Sequence, residues 1–340
     1  TPERIHPINL LRTHPAQNAM SADVGAGMPR PRPPASSGTR PADLAEFAGE
    51  PPSSASSTRT SSAVLRCAER VASESSHVRV VDAGVQEAAE RVVCGGQLEE
   101  ILSPQAFDAD MHFFDGGPLT VQYLLVVDCL NFCFWPCEGL EYENLARGVK
   151  AAVLADPECV SAERLTSVTV QQLRSLFFGG WEGPLPLEDE RVRLLQELGS
   201  GLQARFSGSA ARLVSEAGGS ALALVALLTA NFPGFRDHAI YRGRQVFFYK
   251  RAQIFCGDLH GAFGGAGIGA FCDIDQVTMF ADYRVPVMLR EMGIMAYSDE
   301  LAALVSRKEV IPAGSEHEIE IRAATIVAVE RLRAAIGRRL

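Results

Sequence analysis

The run from Leu119 to Trp135 constrains the fold most, because it is apolar on nearly every side. A helix without a polar face belongs at the centre of a domain, with other helices around it. Pro136, which has no amide donor and clashes with the preceding turn, ends the run. The longest apolar stretch, Leu124 to Trp135, is broken by Asp128 and Asn131 and is too short to cross a membrane. A soluble protein that makes no membrane contact is expected.

The flanking sequence supplies the surrounding helices. Apolar residues recur at helical spacing from Ala63, in Val64, Leu65, Ala68, Val71 and Ala72, and again over Val85 to Val93. Further helices are expected over Tyr142 to Leu154, from Thr169 to Phe178, and over Asp189 to Phe206, Ser209 to Ala217 and Ser220 to Ala230. Later ones cover Tyr249 to Phe263, Pro286 to Met292, Ser298 to Arg307 and Glu316 to Ile336. Thr169-x-x-Gln172 and Ser315-x-x-Glu318 have the form of capping boxes. Only Gln245 to Tyr249 and Val78 to Val81 read as strands, so the fold class is mostly α with a very small β component.

Residues 1–62 differ in kind. They hold ten of the 19 prolines and one aromatic residue, Phe47, too little apolar surface to offset chain entropy. A disordered tail over 1–62 and a single helical domain over 63–340 follow. The tail carries six of the 32 basic and five of the 41 acidic residues, so the domain has 26 bases against 36 acids. That surface repels duplex nucleic acid, and a small-molecule ligand fits it better than a direct nucleic-acid partner. The eight cysteines show no paired Cys-x-x-Cys and indicate a reducing, cytoplasmic setting. Cys129, Cys133 and Cys137 recur every fourth residue along the central helix, a pattern of buried thiols rather than of zinc ligands. No metal and no cofactor are expected, and nothing in the sequence sets the oligomeric state.

The stretch from Arg244 to Pro286 has the composition of an active site. Asp282 stands between Phe280 and Tyr283, just before Arg284 and a proline, where an Asp either caps a helix or faces a ligand. Lys250 and Arg251 follow a strand of aromatic and β-branched residues, and one of the two is expected to point inward. A buried lysine needs a partner, so an inward Lys250 is a neighbour for Asp282 or for a phosphate. The glycines from Gly261 to Gly269 follow a helix and lack Gly-x-Gly-x-x-Gly spacing, which makes them a connection rather than a phosphate cradle. His112, beside Phe113 and Phe114, either meets a ligand or is held by the core. Asp128 and Asn131, inside the apolar helix, line a pocket or form a structural polar cluster.

Several segments together resemble a known family. They are Leu130 to Pro136, Glu141-Tyr142-Glu143, Phe232 to Asp237, Phe248 to Gln253, Asp273-Ile274-Asp275 and Thr278 to Pro286. They stand in the order seen in the queuosine salvage proteins, the queuosine 5′-phosphate N-glycosylases, and the likeness runs from about Val64 to Arg333. It implies a helical fold distantly like that of DNA glycosylases, and hydrolysis of queuosine 5′-monophosphate to release queuine for reinsertion into transfer RNA. The resemblance makes Asp282 the catalytic carboxylate and Lys250 a catalytic or phosphate-side cation. It also makes Phe280 a stacking ring and His112 a contact to the base. Asp128, Asn131 and Trp135 become pocket wall, with Phe235, Arg236, Asp237, Tyr283 and Arg284 as further substrate contacts. Two other classes compete: a binding protein that does not cut, and a glycosylase for another nucleoside or for nucleic acid. In two places the sequence departs from the family. His260 stands where a Trp is usual, and relatives continue past the last helix into an Asp- and aromatic-rich segment that closes the pocket, so a more open pocket or a missing closing segment is expected here.

Overall fold

The computed structural model describes residues 62–95 and 107–340, so the tail expected over 1–62 lies, apart from Ser62, outside the described residues. The helices are α1 (Ala63–Glu74), α2 (Asp82–Cys94), α3 (Pro118–Leu130), α4 (Tyr142–Ala155), α5 (Ala162–Leu165) and α6 (Val170–Gln172). Then follow α7 (Glu188–Phe206), α8 (Ala210–Glu216), α9 (Ala221–Asn231), α10 (Lys250–Ala262), α11 (Val285–Glu291), α12 (Asp299–Ser306) and α13 (Glu316–Gly337). A π turn, Leu173–Phe177, continues α6. The strands are β1 (Val78–Val80), β2 (His238–Tyr241), β3 (Arg244–Phe247) and β4 (Met295–Tyr297).

The apolar run is the hub. Every residue of α3 from Thr120 to Leu130 is buried, and the helix packs against α4, α7, α8 and α10. On the other side of the molecule α13 packs along α1 and α2. Two small antiparallel sheets join these parts. β1 pairs with β4, with Val78 opposite Tyr297, and β2 pairs with β3, with His238 opposite Phe247. The β2–β3 turn is Arg242-Gly243, both at positive φ, the backbone twist that a two-residue hairpin favours.

Several sequence expectations are corrected. The central helix stops at Leu130, not at Trp135, because its last carbonyls are taken by cations from distant helices and the chain turns at Cys133, φ 51°. Cys129, Cys133 and Cys137 therefore do not share a helix face. The strand expected over Gln245 to Tyr249 is Arg244–Phe247, and β2 and β4 were not anticipated. The helix expected over Tyr249 to Phe263 is Lys250–Ala262, so Lys250 opens α10 directly after Tyr249, which lies in the left-handed region at φ 48°. The Thr169/Gln172 capping box forms in both directions. Ser315 caps α13, but Glu318 bonds Gly314 N–H instead of completing the box.

Candidate active site

The geometry begins with the C-terminus of α3. A helix leaves its last four carbonyls without partners, and they carry its partial negative charge. Here two arginines take up the last two, and a lysine takes the carbonyl of the capping residue just beyond. Lys250 Nζ donates to Asn131 O at 3.0 Å, and Arg251 Nη1 to Cys129 O at 2.5 Å. Arg191, fully buried on α7, donates to Leu130 O at 2.7 Å, Phe132 O at 2.6 Å and Cys133 O at 2.7 Å. Its guanidinium stacks 4.5 Å over Phe132, and burial lowers its pKa to about 10. Both Lys250 and Arg251 therefore point inward, where the sequence suggested one.

Asp237 fixes the start of α10. Its carbonyl accepts from Phe248 and Tyr249 N–H, and its Oδ2 accepts from Lys250 N–H at 2.9 Å. Arg322 of α13 clamps the same carboxylate through Oδ1 at 2.8 Å and Oδ2 at 2.5 Å, and lies 4.0 Å over the Phe248 ring. Its Nε also donates to Ala281 O at 3.2 Å, next to Asp282. Burial by itself would raise the Asp237 pKa, but the charge and hydrogen bonds of Arg322 outweigh it and hold the carboxylate below its ordinary value. One guanidinium thus ties the Lys250 turn to the Asp282 loop.

That loop is anchored at its other end by Gln253, buried on α10. Its Oε1 accepts from Thr278 N–H at 3.0 Å and its Nε2 donates to Phe248 O at 2.9 Å. The chain then carries half-buried Phe280 and Asp282. Asp282 Oδ1 accepts from the N–H groups of Arg284 and Val285 at 2.9 and 3.0 Å, capping the start of α11. Its Oδ2 makes no hydrogen bond among the described residues. The two roles the sequence left open are therefore divided between the two oxygens of one carboxylate. Burial lowers the Lys250 pKa from 10.5, with the Asp282 charge as the largest opposing influence.

Asp128 lies on α3 beneath this arrangement, fully buried, with neither oxygen in a hydrogen bond of ordinary geometry. Burial first, then repulsion from and contact with Asp258 of α10, push its pKa well above the carboxylate range, while Lys250 pulls it back. Burial and Asp258 both favour the protonated form of its carboxyl. Sequence reasoning missed Asp258, Arg191 and Arg322. An acid eight residues after Lys250 on the same helix was the available signal for Asp258, whereas the arginines sit in stretches that read as ordinary amphipathic helix.

An aromatic belt stands alongside. His112 Nδ1 lies 3.1 Å from the Tyr123 hydroxyl, which also bonds Ala146 O, and the His112 ring is 5.2 Å from Phe107 and 5.9 Å from Tyr142. Trp135 and Tyr283 are about half exposed, and the Tyr283 hydroxyl lies against the backbone of Phe134 and Trp135. The remaining expected contacts are structurally engaged. Phe235 is buried beneath Arg251, Arg236 donates to the last carbonyls of α9, and Arg284 pairs with Glu141. Asp273 binds the N-terminus of α9 through Ser220 and Ala221. A surface groove beside α4, bordered by Asn144, Arg147, Ser175 and Gly179, contains none of the groups above.

Residues 111–340 match the family model described as queuosine salvage protein. A Dictyostelium discoideum protein named queuosine 5′-phosphate N-glycosylase/hydrolase is 51% identical over 216 residues, which span 63% of this chain and 66% of that protein. A Sphaerobacter thermophilus protein of the same name is 44% identical over 248 residues, 70% of this chain and 76% of its own length. A Mus musculus protein, also of that name, is 37% identical over 226 residues.

Proposed function

This chain belongs to the queuosine salvage protein family, and from that premise we propose that it hydrolyses the N-glycosidic bond of queuosine 5′-phosphate and releases the base queuine. The observation that carries the reading is the divided carboxylate of Asp282. One oxygen is fixed by the start of α11, and the other is left for a ligand beside the buried Lys250 amine.

Breaking a ribosyl C–N bond leaves positive charge on the sugar, and a carboxylate fixed beneath the ring offsets that charge or adds to it. Asp282 Oδ2 has this task. Water then supplies the hydroxyl at the anomeric carbon, and the electron pair of the broken bond leaves with the base, which gains a proton at its glycosidic nitrogen. Lys250, held by the Asn131 carbonyl, sits on the phosphate side with its charge beside the Asp282 carboxylate.

The leaving base is a 7-deazapurine, whose seventh position is carbon and takes no proton. Help must come from an acid elsewhere, and Asp128, whose protonated form is favoured by burial and by Asp258 and whose charge is felt by Lys250, is the group for that task. Phe280 stacks on the base, His112 and the Asn131 side-chain amide bond its edge, and Trp135 and Tyr283 form the rim. The negative balance of the domain favours a free nucleotide over a polymer.

The test is incubation of the purified protein with queuosine 5′-phosphate and mass spectrometry for free queuine. Recovery of intact nucleotide from a tight complex makes the protein a carrier instead. Base release from ordinary purine nucleotides or single-stranded DNA at comparable rates reassigns the substrate.

A further inference from the structure

We infer that His77, Glu300 and His317 form a binding site for one divalent transition-metal ion, away from the candidate active site, that pins β1, α12 and α13 together. His77 stands just before β1, Glu300 is in the first turn of α12, and His317 is in the first turn of α13. One ligand atom from each lies within 4.8 Å of the others. His77 Nδ1 and His317 Nε2 approach opposite oxygens of the Glu300 carboxylate, each at 4.0 Å, and the two rings meet edge to face with centroids 4.3 Å apart. These contacts are too long to be hydrogen bonds, so the three groups converge without bonding one another.

The spacing suits an ion. Zinc binds imidazole nitrogen and carboxylate oxygen at about 2.0 to 2.2 Å, so two ligands of one ion stand at most roughly 4.3 Å apart. Both His–Glu pairs already meet that limit. The widest gap closes by less than ~1 Å, which rotation of the Glu300 side chain supplies, since that side chain is 69% exposed. Two imidazoles and a carboxylate favour Zn²⁺, Co²⁺ or Ni²⁺ over the oxygen-seeking Mg²⁺ and Ca²⁺. Glu300 on the solvent side leaves the fourth position to water.

The backbone under the site is rigid. His77 N–H donates to Glu320 Oε2 at 2.7 Å, and His77 O accepts from Ser298 N–H at 2.8 Å. Ser298 caps α12, and its hydroxyl, 3.3 Å from His77 Nδ1, marks the place that an ion bound at that nitrogen would take over. Ser315 caps α13. The three ligands therefore stand on fixed element ends, as a preorganised site requires. An ion here joins α12, α13 and the β1 segment, so it acts on stability and not on the chemical step.

Titration of the full chain with Co²⁺, read by visible absorption, tests this directly. One equivalent is expected to bind with a d–d spectrum lacking thiolate charge transfer. H317A weakens binding at least ~10-fold, E300Q weakens it too, and both variants keep their circular dichroism. Zn²⁺ at about 100 times its dissociation constant raises the melting temperature by roughly 5 °C in the parent chain and not in H317A. No binding, unchanged binding in H317A, or a thiolate band that places the ion on cysteines overturns the assignment.

Discussion

Lys250 donates its Nζ to the main-chain oxygen of Asn131, 119 residues earlier, at 3.0 Å. The bond brings the amine from the first turn of α10 to the C-terminus of the central helix, and the Asp282 loop closes over the same place.

The Asp282 carboxylate can lose its charge without losing its shape. Asp282→Asn keeps the carbonyl oxygen that caps α11, so folding should be nearly unchanged. Turnover of queuosine 5′-phosphate is expected to fall at least ~10²-fold. A wild-type rate in the purified variant would falsify the catalytic assignment.

Lys250 should set the alkaline limb of the pH–rate profile. Burial, reinforced by Arg251 and Arg322 and only partly offset by Asp282 and Asp237, holds its pKa below the ordinary 10.5. The charged amine is the working form, so kcat/KM falls as pH rises through that lowered value, earlier than an exposed lysine would allow. Stability moves the other way: between the folded and unfolded values the unfolded chain binds the extra proton, so stability rises with pH. Activity lost while the melting temperature holds or climbs is the expected signature, and Lys250→Arg should abolish the limb.

Asp128 is predicted to act as an acid. Asp128→Asn is close in shape to the protonated form that burial favours, so the melting temperature should change little. Multiple-turnover rates are expected to drop by about 10²- to 10⁴-fold. Unchanged activity with 7-deazapurine substrates makes the residue purely structural.

Arg322 and Asp237 should behave as one unit. Arg322→Met leaves a partly buried carboxylate unpaired and frees Ala281 O, with an expected cost of about 2 to 4 kcal/mol. Asp237→Asn alone should be costly too, and the double variant less costly than the sum. Urea unfolding of the four proteins measures the coupling, and additive effects contradict it.

Glu320 accepts from Ser75, Ser76, His77 and Tyr241. Burial alone would raise its pKa, but these bonds outweigh burial and hold it below 4.5. The stability it contributes is therefore fully present above about 4.5 and is lost as pH falls through the lower folded value. Glu320→Gln is expected to lose about 2 to 4 kcal/mol at neutral pH and to show a flatter acid limb in thermal melts.

What the sequence disclosed follows the range of the forces involved. The Thr169/Gln172 box and the helical runs of α4, α7 and α13 depend on neighbours within a few residues, and their expected bounds lie within a residue or two of those observed. That the Lys250 amine feels the Asp282 charge was legible because both carry charge beside aromatic residues in one short stretch. The end of α3 was not, since Lys250, Arg251 and Arg191 reach it from far along the chain. β2 escaped because its turn uses Arg242, where Asn or Asp is the usual first residue of such a hairpin. Arg322 has no local signal, because its partner Asp237 stands 85 residues earlier in the chain.

The cations at the end of α3 grip main-chain oxygens, which every amino acid possesses. The hydrogen bonds themselves do not depend on the side chain at position 131, provided the path of the chain is kept, whereas Phe132 also stacks against Arg191 and Arg251. At Asn131 the peptide oxygen serves the scaffold, so drift at its amide would retune what the protein welcomes while leaving the frame beneath it standing.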